Sequence, residues 1–234
     1  TNLVHKVFKG IDSPFGYGEV LHSGFVDTAI LINKYHGYLE QKSFLVKERF
    51  DYSQLQQSDN HIQYKDFKAS HIVFAEGFGM HSNPFFKYLP LDGTKGELFI
   101  IKAPDLDLDV IVNTSVFILP LGNDLFKVGA TYNWKDKTVF PTEEGKKELV
   151  ERIKEILSCE FQIIQHFAGV RPTVNDRRPL LGSHPKHKNL YILNGLGTRG
   201  VMLAPAMAID LYNYIENKIP LDKTIDINRY AHFL

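Results

Sequence analysis

The sequence has a single cysteine, no excess of charge of either sign and no long apolar run. One cysteine, Cys159, excludes an intramolecular disulfide and a zinc site built from several cysteines, and it fits a reducing compartment. The 27 Lys and Arg residues balance 27 Asp and Glu residues, so the chain as a whole lacks the field that a nucleic-acid binder needs, which leaves only a local basic patch open. The longest apolar runs, such as residues 201–209, fall short of the roughly 20 residues that a membrane span requires. We therefore expect a soluble, cytoplasmic protein without a membrane partner.

The composition is that of a globular protein. The chain has 234 residues, 44% of them hydrophobic and 23% charged, which supplies the core of one large domain or two smaller ones. Hydrophobic patterning predicts several elements in the first third: strands at 3–8 and 18–21, a helix at 25–36 that stops at Gly37, a strand at 43–49, a hairpin-like excursion at 53–60 and a strand at 71–75. The last of these is apolar on successive residues, a pattern typical of a strand covered on both faces.

The middle of the chain has a different pattern. Four short strand candidates lie between residues 96 and 132 and predict an antiparallel sheet. A surface helix is predicted after Pro141 and Thr142, with Glu143 and Glu144 in its first turn. The remaining elements follow in order: a strand at 161–168, a loop at 169–185, an apolar strand at 190–193, a glycine-rich turn at 195–200 and a helix at 201–215. The fold class predicted is α/β with an inserted antiparallel sheet.

Residues 195–200 satisfy the dinucleotide pattern G-x-G-x-x-G between a predicted strand and a helix. The full fingerprint also needs a second buried strand that ends in an acidic residue, and the sequence after Ile215 contains none. Two readings stay open: the turn binds a pyrophosphate, or it forms a helix N-terminus aimed at another electron-rich group. We favour the second.

The segment 168–182, together with 189–200 and Leu203-Ala-Pro205, resembles the C-terminal signature of the FAD-dependent D-amino-acid oxidase superfamily. Within it the chain is most similar to glycine oxidase and to the oxidoreductase half of the bifunctional enzyme that modifies aminomethyl-uridine in tRNA. Upstream segments agree in order, including Ala75-Glu-Gly77, 116–120 and 128–131.

The resemblance implies an incomplete FAD-binding, Rossmann-like layer. In the family, an ADP-binding βαβ unit lies at the N-terminus, ahead of the segments that this chain matches. We expect this incomplete FAD-binding domain at 21–89 and 186–234, and an antiparallel-sheet substrate domain at 1–20 and 90–185. The first residue is Thr and not Met, which agrees with a truncated chain. An exposed edge formed by 72–75 and 190–193 is then expected to cause self-association.

The resemblance also implies the site residues. Arg171 corresponds to the guanidinium that binds the substrate carboxylate, with Arg199 and Tyr132 as further substrate-binding residues. Thr198 stands where glycine oxidase has a second carboxylate-binding arginine, so the resemblance does not imply a pair of arginines that bind the carboxylate in this chain. FAD is expected to be noncovalent, and the truncated chain need not retain it. The implied cofactor-binding residues are Val46, Gly77, Gly169, Gly195, Gly197, Thr198, Gly200, Val201 and Met202.

The function implied is oxidation of the C–N bond of an amino-acid-like amine, by hydride transfer to flavin N5 and with no side chain as the base. The partner is then a small-molecule amine, and a nucleic acid only if the substrate is a modified tRNA base. No metal site is predicted, because the histidines lack metal-ligand spacing. The alternative is a binding or interaction module without a cofactor.

Overall fold

A computed structural model describes residues 2–58 and 61–233, and Asn2 in its backbone only. The strands of this part of the chain are β1 (Asn2–Val4), β2 (Tyr17–Glu19), β3 (Leu55–Gln57), β4 (Ile62–Tyr64), β5 (Phe67–Ala69), β6 (Ile72–Phe74), β7 (Thr94–Lys102), β8 (Val112–Asn113), β9 (Phe117–Gly122), β10 (Leu125–Gly129), β11 (Gln162–Arg171), β12 (Leu180–Ser183) and β13 (Leu190–Asn194). The α-helices are α1 (Thr28–Gln41), α2 (Glu143–Lys154) and α3 (Gly200–Glu216). Short 3-10 helices lie at Tyr52–Gln54, Gly77–Ser82, Gly197–Arg199 and Ile227–Phe233.

The chain divides into two compact units, each built from two segments. The first unit contains residues 1–25 and 94–170, and the second contains 26–93 and 171–234. The sequence placed 171–185 with the antiparallel sheet. The structure places them in the second unit because β12, which lies in this stretch, pairs with β13.

The first unit is a five-stranded sheet in the order β11-β7-β10-β9-β8, with a two-stranded β1-β2 ribbon. The pairs among β7, β10, β9 and β8 are antiparallel, as predicted for the middle of the chain. Helix α2 packs on one face through Leu149 and Ile153, which are fully buried against Phe99 and Ile101. The helix begins where the sequence predicted, since Thr142 caps it by accepting a hydrogen bond from the backbone N–H of Gly145.

The second unit is built around a three-stranded sheet in the order β12-β13-β6. Strands β13 and β6 are parallel, and β12 and β13 are antiparallel. A separate antiparallel meander is formed by β3, β4 and β5. Only β3 lies within 53–60, the stretch predicted as a hairpin-like excursion, and Asp59 and Asn60 of that stretch lie outside the described residues. After α3, the described residues up to Phe233 form a 3-10 helix and no further strand, so the second half of a dinucleotide-binding βαβ unit is not found there.

Three predictions about the second unit are wrong. Gly37 does not end the first helix, which continues to Gln41, because one interior glycine costs a helix only about 1 kcal/mol. Residues 43–49 do not form a strand: Phe44 and Val46 are exposed, and no strand in the described structure pairs with them. The third error concerns β6, which is an edge strand with Val73 exposed to 43% and so is not covered on both faces.

The exposed apolar surface of the second unit lies mainly on its helices. In the described structure no residue of α1 is buried, and its exposed side chains include Ile30, Leu31 and Tyr35. Helix α3 buries Leu211 and Ile215 but exposes Ile209 and Tyr212. By contrast, β13, which the sequence analysis placed on an exposed edge, is the central strand, and residues 190–192 are buried. In the part of the chain that the structure describes, no helix is long and apolar enough to cross a bilayer.

Candidate functional site

The carboxyl ends of β6 and β13 form the candidate site. The two strands are parallel neighbours, so the residues that follow them, Glu76-Gly77 and Gly195 onward, leave the sheet at the same edge. In open α/β sheets this is the edge at which ligands bind. The sequence analysis singled out Gly77 and Gly195 separately, and the fold brings them to one place.

Asn194 connects the two strand ends. Its side-chain amide donates a 2.9 Å hydrogen bond to the carbonyl oxygen of Gly77, and its Oδ1 accepts a 2.8 Å hydrogen bond from the backbone N–H of Gly195. Only 3% of Asn194 is exposed, so both bonds are shielded from water. The edge is therefore fixed by a buried polar side chain between two glycine-containing loops.

The glycines at this edge have left-handed backbone conformations. Gly77 has φ +55° and Gly197 has φ +57°, and a Cβ added to either would find no atom closer than 3.9 Å. Gly195, with φ +70°, differs because its added Cβ would lie 2.8 Å from Cγ2 of Val174. Gly195 thus allows close packing within the unit, whereas Gly77 and Gly197 present bare backbone on an open side.

Helix α3 begins directly behind this turn. Arg199 occupies its N-cap position without a capping side-chain hydrogen bond, and the first turn contains no acidic residue. Val201 and Met202, in that first turn, are exposed to 55% and 68%. An uncapped helix N-terminus carries partial positive charge and free N–H donors, so this end of α3 suits an electron-rich ligand group.

Arg171 lies at the end of β11, immediately before the segment that touches the glycine-rich turn. The carbonyl oxygen of Pro172 accepts a 3.0 Å hydrogen bond from the N–H of Gly197. The hydroxyl of Thr173 donates a 3.3 Å bond to the carbonyl oxygen of Arg171, and its own carbonyl accepts from the N–H of Asp92 at 2.9 Å. The backbone that follows Arg171 is therefore held against the turn at 195–197.

The other predicted site residues have diverse surroundings. Arg199 is exposed, and its guanidinium donates a 3.1 Å hydrogen bond to the carbonyl oxygen of Arg177, while its neighbour Thr198 is also exposed. Val46 is exposed in the irregular segment after α1. Tyr132 and Gly169 belong to the first unit, where Tyr132 is exposed just beyond β10 and Gly169 has open space at its Cα on β11.

Sequence reasoning missed the polar residues that support Gly77. The Glu76 carboxylate accepts hydrogen bonds from the Tyr52 hydroxyl and from Nδ2 of Asn83, the latter at 2.7 Å. Asn83 is fully buried, and its Oδ1 accepts from the backbone N–H of Phe85 at 2.9 Å. Burial and the hydrogen bond to Glu76 both raise the pKa of Tyr52. The available signal was a polar residue directly beside an apolar strand, at Glu76 and Asn194.

A second buried polar cluster lies in the first unit at the start of α2. Glu97 accepts hydrogen bonds from the backbone N–H and the hydroxyl of Thr142, at 3.0 and 2.8 Å, and its carboxylate lies 2.8 Å from Nε2 of His166. Lys95 donates to Asp136 and to the carbonyl oxygen of Phe140. The cluster holds the segment that follows Tyr132. Residues 2–58 and 61–233 contain no group of three or more His, Cys, Asp or Glu side chains arranged for a metal ion.

Comparison with known proteins identifies the family. Residues 4–212 match the family described as DAO, FAD dependent oxidoreductase. The chain belongs to this family. Among its relatives are the glycine oxidase of Bacillus subtilis, 25% identical over 222 residues, and the tRNA 5-methylaminomethyl-2-thiouridine biosynthesis bifunctional protein of Marinobacter nauticus, 28% identical over 181 residues. These matches cover 88% and 68% of this chain but 60% and 28% of the two relatives.

The fold of the family member is also that of solved oxidases. The iminodiacetate oxidase from Chelativorans sp. BNC1 superposes with a TM-score of 0.66 at 22% identity, over 84% of this chain and 57% of that one. The glycine oxidase from Bacillus cereus gives a TM-score of 0.59 at 21% identity, over 71% of this chain and 49% of that one. The resemblance to the D-amino-acid oxidase superfamily is thereby confirmed, and the chain spans about 60% or less of the length of these relatives.

Proposed function

We propose that the protein is an FAD-dependent oxidoreductase that oxidises the C–N bond of an amine carrying a carboxylate. The observation that carries this proposal is the uncapped, exposed N-terminus of α3 at the strand edge where Gly77 and Gly197 present bare backbone. Membership of the FAD dependent oxidoreductase family supplies the cofactor class. The names of the two oxidases, which act on glycine and on iminodiacetate, support a small amine that carries a carboxylate.

The residues at this edge fit a flavin nucleotide. Gly77 and Gly197 leave room for a ligand close to the backbone, and the first-turn amides of Val201 and Met202 are free of capping side chains in the described structure. When bound, FAD supplies the two-electron acceptor for the oxidation. The positive end of α3 stabilises negative charge on the group it faces. The proposed cofactor-binding residues are Val46, Gly77, Gly169, Gly195, Gly197, Thr198, Gly200, Val201 and Met202.

Substrate binding is assigned to Arg171. A guanidinium forms two parallel charge-assisted hydrogen bonds to a carboxylate, which fixes both the position and the orientation of the carbon beside it. The backbone after Arg171 is anchored to the glycine-rich turn through the Pro172 carbonyl, so the side chain is carried by a fixed support. Tyr132 and Arg199 are proposed as additional substrate contacts. The protein then contributes position and charge, and no side chain is required as a base.

Of the proposed cofactor-binding residues, all except Gly169 lie in the second unit, which we propose as the main cofactor-binding part. Helix α1 exposes several apolar side chains, and the chain matches only 60% of the Bacillus subtilis relative. We propose that this chain is part of a longer protein and that a further cofactor-binding segment covers α1. The alternative function, an interaction module without cofactor, is favoured by this same uncovered helix.

Titration of the protein with FAD and, in parallel, with ADP tests the proposal. Binding of FAD, seen as quenching of flavin fluorescence, is expected to weaken in Gly200→Val, because the valine side chain stands at the first turn of α3. Gly200→Ala is the matched control for folding, since an added Cβ at this position meets only Leu196 Cβ at an ordinary 3.5 Å.

The ADP arm distinguishes the two readings of the turn. If Gly195 to Gly200 bound a pyrophosphate, ADP would bind tightly and Gly200→Val would abolish its binding. The proposal predicts that this chain does not bind ADP tightly, and that in the longer protein Gly200→Val leaves ADP binding unchanged while it weakens FAD binding. Absence of FAD binding both in this chain and in the longer protein of which we propose it is part, with the protein folded, would favour the interaction module.

A further inference from the structure

One side chain in the second unit forms hydrogen bonds to the loops that follow two different strands. Gly77 follows β6 and Gly195 follows β13, and these residues are 118 positions apart in the sequence. Asn194 bonds to both, as donor to the Gly77 carbonyl at 2.9 Å and as acceptor from the Gly195 N–H at 2.8 Å. No other residue type of similar size offers a donor and an acceptor in this arrangement, because a carboxylate lacks the donor and a hydroxyl is shorter.

We propose that Asn194 is a positioning residue that sets the spacing and orientation of the two cofactor-binding loops; this inference rests on the proposed function. Asn194 itself is almost completely buried, so it acts through the backbone of Gly77 and Gly195 and not by contact with a ligand. Both glycines have positive φ and therefore lie outside the conformations that most residues hold unaided.

The two glycines differ in how closely neighbouring side chains pack against them. Gly195 is packed from behind by Val174 and Leu180, whose side chains lie 2.8 and 3.0 Å from the position of an added Cβ. Gly77 has nothing within 4 Å of its own added Cβ. Gly77 is therefore the less supported of the two, and the bond from Asn194 to its carbonyl is the contact that links it to the parallel strand.

Glu76 supports the same loop from the other side. Its carboxylate is held by Asn83 and Tyr52, which belong to the second unit as Gly77 does. With Glu76 fixed before it and the Gly77 carbonyl fixed by Asn194, the peptide that joins Gly77 to Phe78 has one orientation. Loss of the Asn194 amide removes the bond that joins this peptide to β13, while the 3-10 turn that begins at Gly77 keeps its 3.0 Å bond from the Gly79 N–H to the Glu76 carbonyl oxygen.

Amide hydrogen–deuterium exchange on the full chain without cofactor tests this role. Asn194→Asp keeps an oxygen that accepts from the Gly195 N–H but places a second oxygen against the Gly77 carbonyl. Exchange over residues 77–79 is expected to accelerate at least about tenfold, while Gly195 stays protected. Asn194→Ala removes both bonds, so exchange is expected to accelerate at both places.

Asn189→Asp is the matched control. Asn189 lies one residue before β13 at its opposite end, where its amide makes only a 3.5 Å contact with the carbonyl oxygen of Ser58. This variant is expected to leave exchange at 77–79 and at 195 unchanged. If Asn194→Asp and Asn194→Ala lower the melting temperature but leave exchange at 77–79 equal to that of Asn189→Asp, Asn194 is only a stabilising core residue and the proposal is overturned.

A second readout uses FAD as the probe. In Asn194→Ala, which adds no charge, the FAD dissociation constant is expected to rise about tenfold relative to Asn189→Asp. An unchanged constant would overturn the role in cofactor binding even if exchange increases. If this chain binds no FAD, the constant is measured in the longer protein of which we propose it is part. Failure of FAD binding there overturns the proposed function and the cofactor role of Asn194, whereas the exchange data still decide whether Asn194 sets the geometry of the loops.

Discussion

The ammonium group of Lys95 lies 2.5 Å from Oδ2 of Asp136, although the two residues are 41 positions apart and only 1% of the lysine side chain is exposed. Lys95 also donates to the hydroxyl of Thr138 at 3.1 Å and to the carbonyl oxygen of Phe140. The buried Lys95 side chain is thus bonded at three points to the segment between Tyr132 and the start of α2. The segment carries Tyr132, which we propose as a substrate contact.

Asp136→Asn is expected to remove a pH-dependent part of the stability. The hydrogen bond from Lys95 lowers the pKa of Asp136 from 3.8 to about 2, with further bonds from Thr138. Because the folded-state pKa lies below the unfolded-state value, the stabilisation is fully present above about pH 4 and is lost as the pH falls through about 2. The difference in melting temperature between the unaltered protein and Asp136→Asn should therefore be constant near neutral pH and shrink between pH 4 and 2.

Asp109→Asn serves as the control for that series. Asp109 forms an ion pair with Lys6 at 3.3 Å, and both side chains are more than half exposed. Exposed pairs contribute little to stability, so this variant is expected to follow the unaltered protein at every pH. An Asp136→Asn curve with the same pH dependence as the unaltered protein would show that the bond to Lys95 does not stabilise the fold.

Gly145→Ala is expected to destabilise the first unit. Replacement of a glycine inside a helix by alanine ordinarily stabilises by about 1 kcal/mol. Here the added Cβ would overlap the carboxylate of Glu97, which is held by two hydrogen bonds from Thr142. Relief of the overlap requires movement of a buried carboxylate, so we expect a loss of about 1–3 kcal/mol in the free energy of unfolding by urea.

Lys146→Ala, at the next position of α2, is the matched control because its side chain is about half exposed and its pairing with Glu143 is long, at 3.9 Å. We expect a change within about 0.5 kcal/mol there. Equal stability of Gly145→Ala and the unaltered protein would mean that the Glu97 carboxylate can move freely.

The elements with a clear hydrophobic pattern, either helical spacing or a continuous apolar run, were predicted correctly because that pattern reflects burial within the element itself. Helix α2 shows Leu149 and Ile153 on one face and a capping threonine before it, and β13 is a short run of apolar residues, most of which are buried. Residues 43–49 have a similar apolar composition, yet they form no strand. A strand requires a hydrogen-bonding partner, and composition does not show whether one is present.

The polar groups of the site could not be derived from the pattern. The strand candidates predicted between residues 96 and 132 treat Glu97 as an ordinary strand residue. The fold instead buries it against Thr142 and His166, 45 and 69 positions away. Asn194 likewise finds the Gly77 carbonyl 117 residues upstream. Sequence patterns register which residues are apolar at short spacing, and they carry no information on partners at this separation.

The apolar surface of α1 is expected to cause self-association of this chain. Its exposed Ile30, Leu31 and Tyr35 offer a larger apolar surface than the single exposed valine of β6, so the helix and not the strand edge is the expected contact. In the double variant Ile30→Lys and Leu31→Glu, the dissociation constant measured by sedimentation velocity should rise at least about tenfold, or 1.4 kcal/mol.

Lys34→Glu, an exposed charge change on the same helix, is the control and should alter association far less. A protein that stays monomeric at millimolar concentration without any substitution would contradict the expectation, and so would association that is equally strong in the double variant.

In the longer protein of which we propose this chain is part, Arg171→Lys and Arg171→Ala are expected to lose substrate affinity while FAD binding is unchanged. The lysine retains the charge but makes no parallel pair of bonds to a carboxylate, and the alanine leaves the carboxylate without a partner. Removal of one member of such a desolvated pair costs about 2–5 kcal/mol, so kcat/KM for glycine should fall at least about 30-fold in Arg171→Ala.

Arg178→Ala, in the same loop but outside the proposed site, is the control. An amine without a carboxylate should be oxidised equally well by all three variants and the unaltered protein, because it has no group for Arg171 to bind. A fall in activity toward both kinds of amine, or a fall that is the same in Arg178→Ala, would show that Arg171 supports the fold and does not recognise the carboxylate.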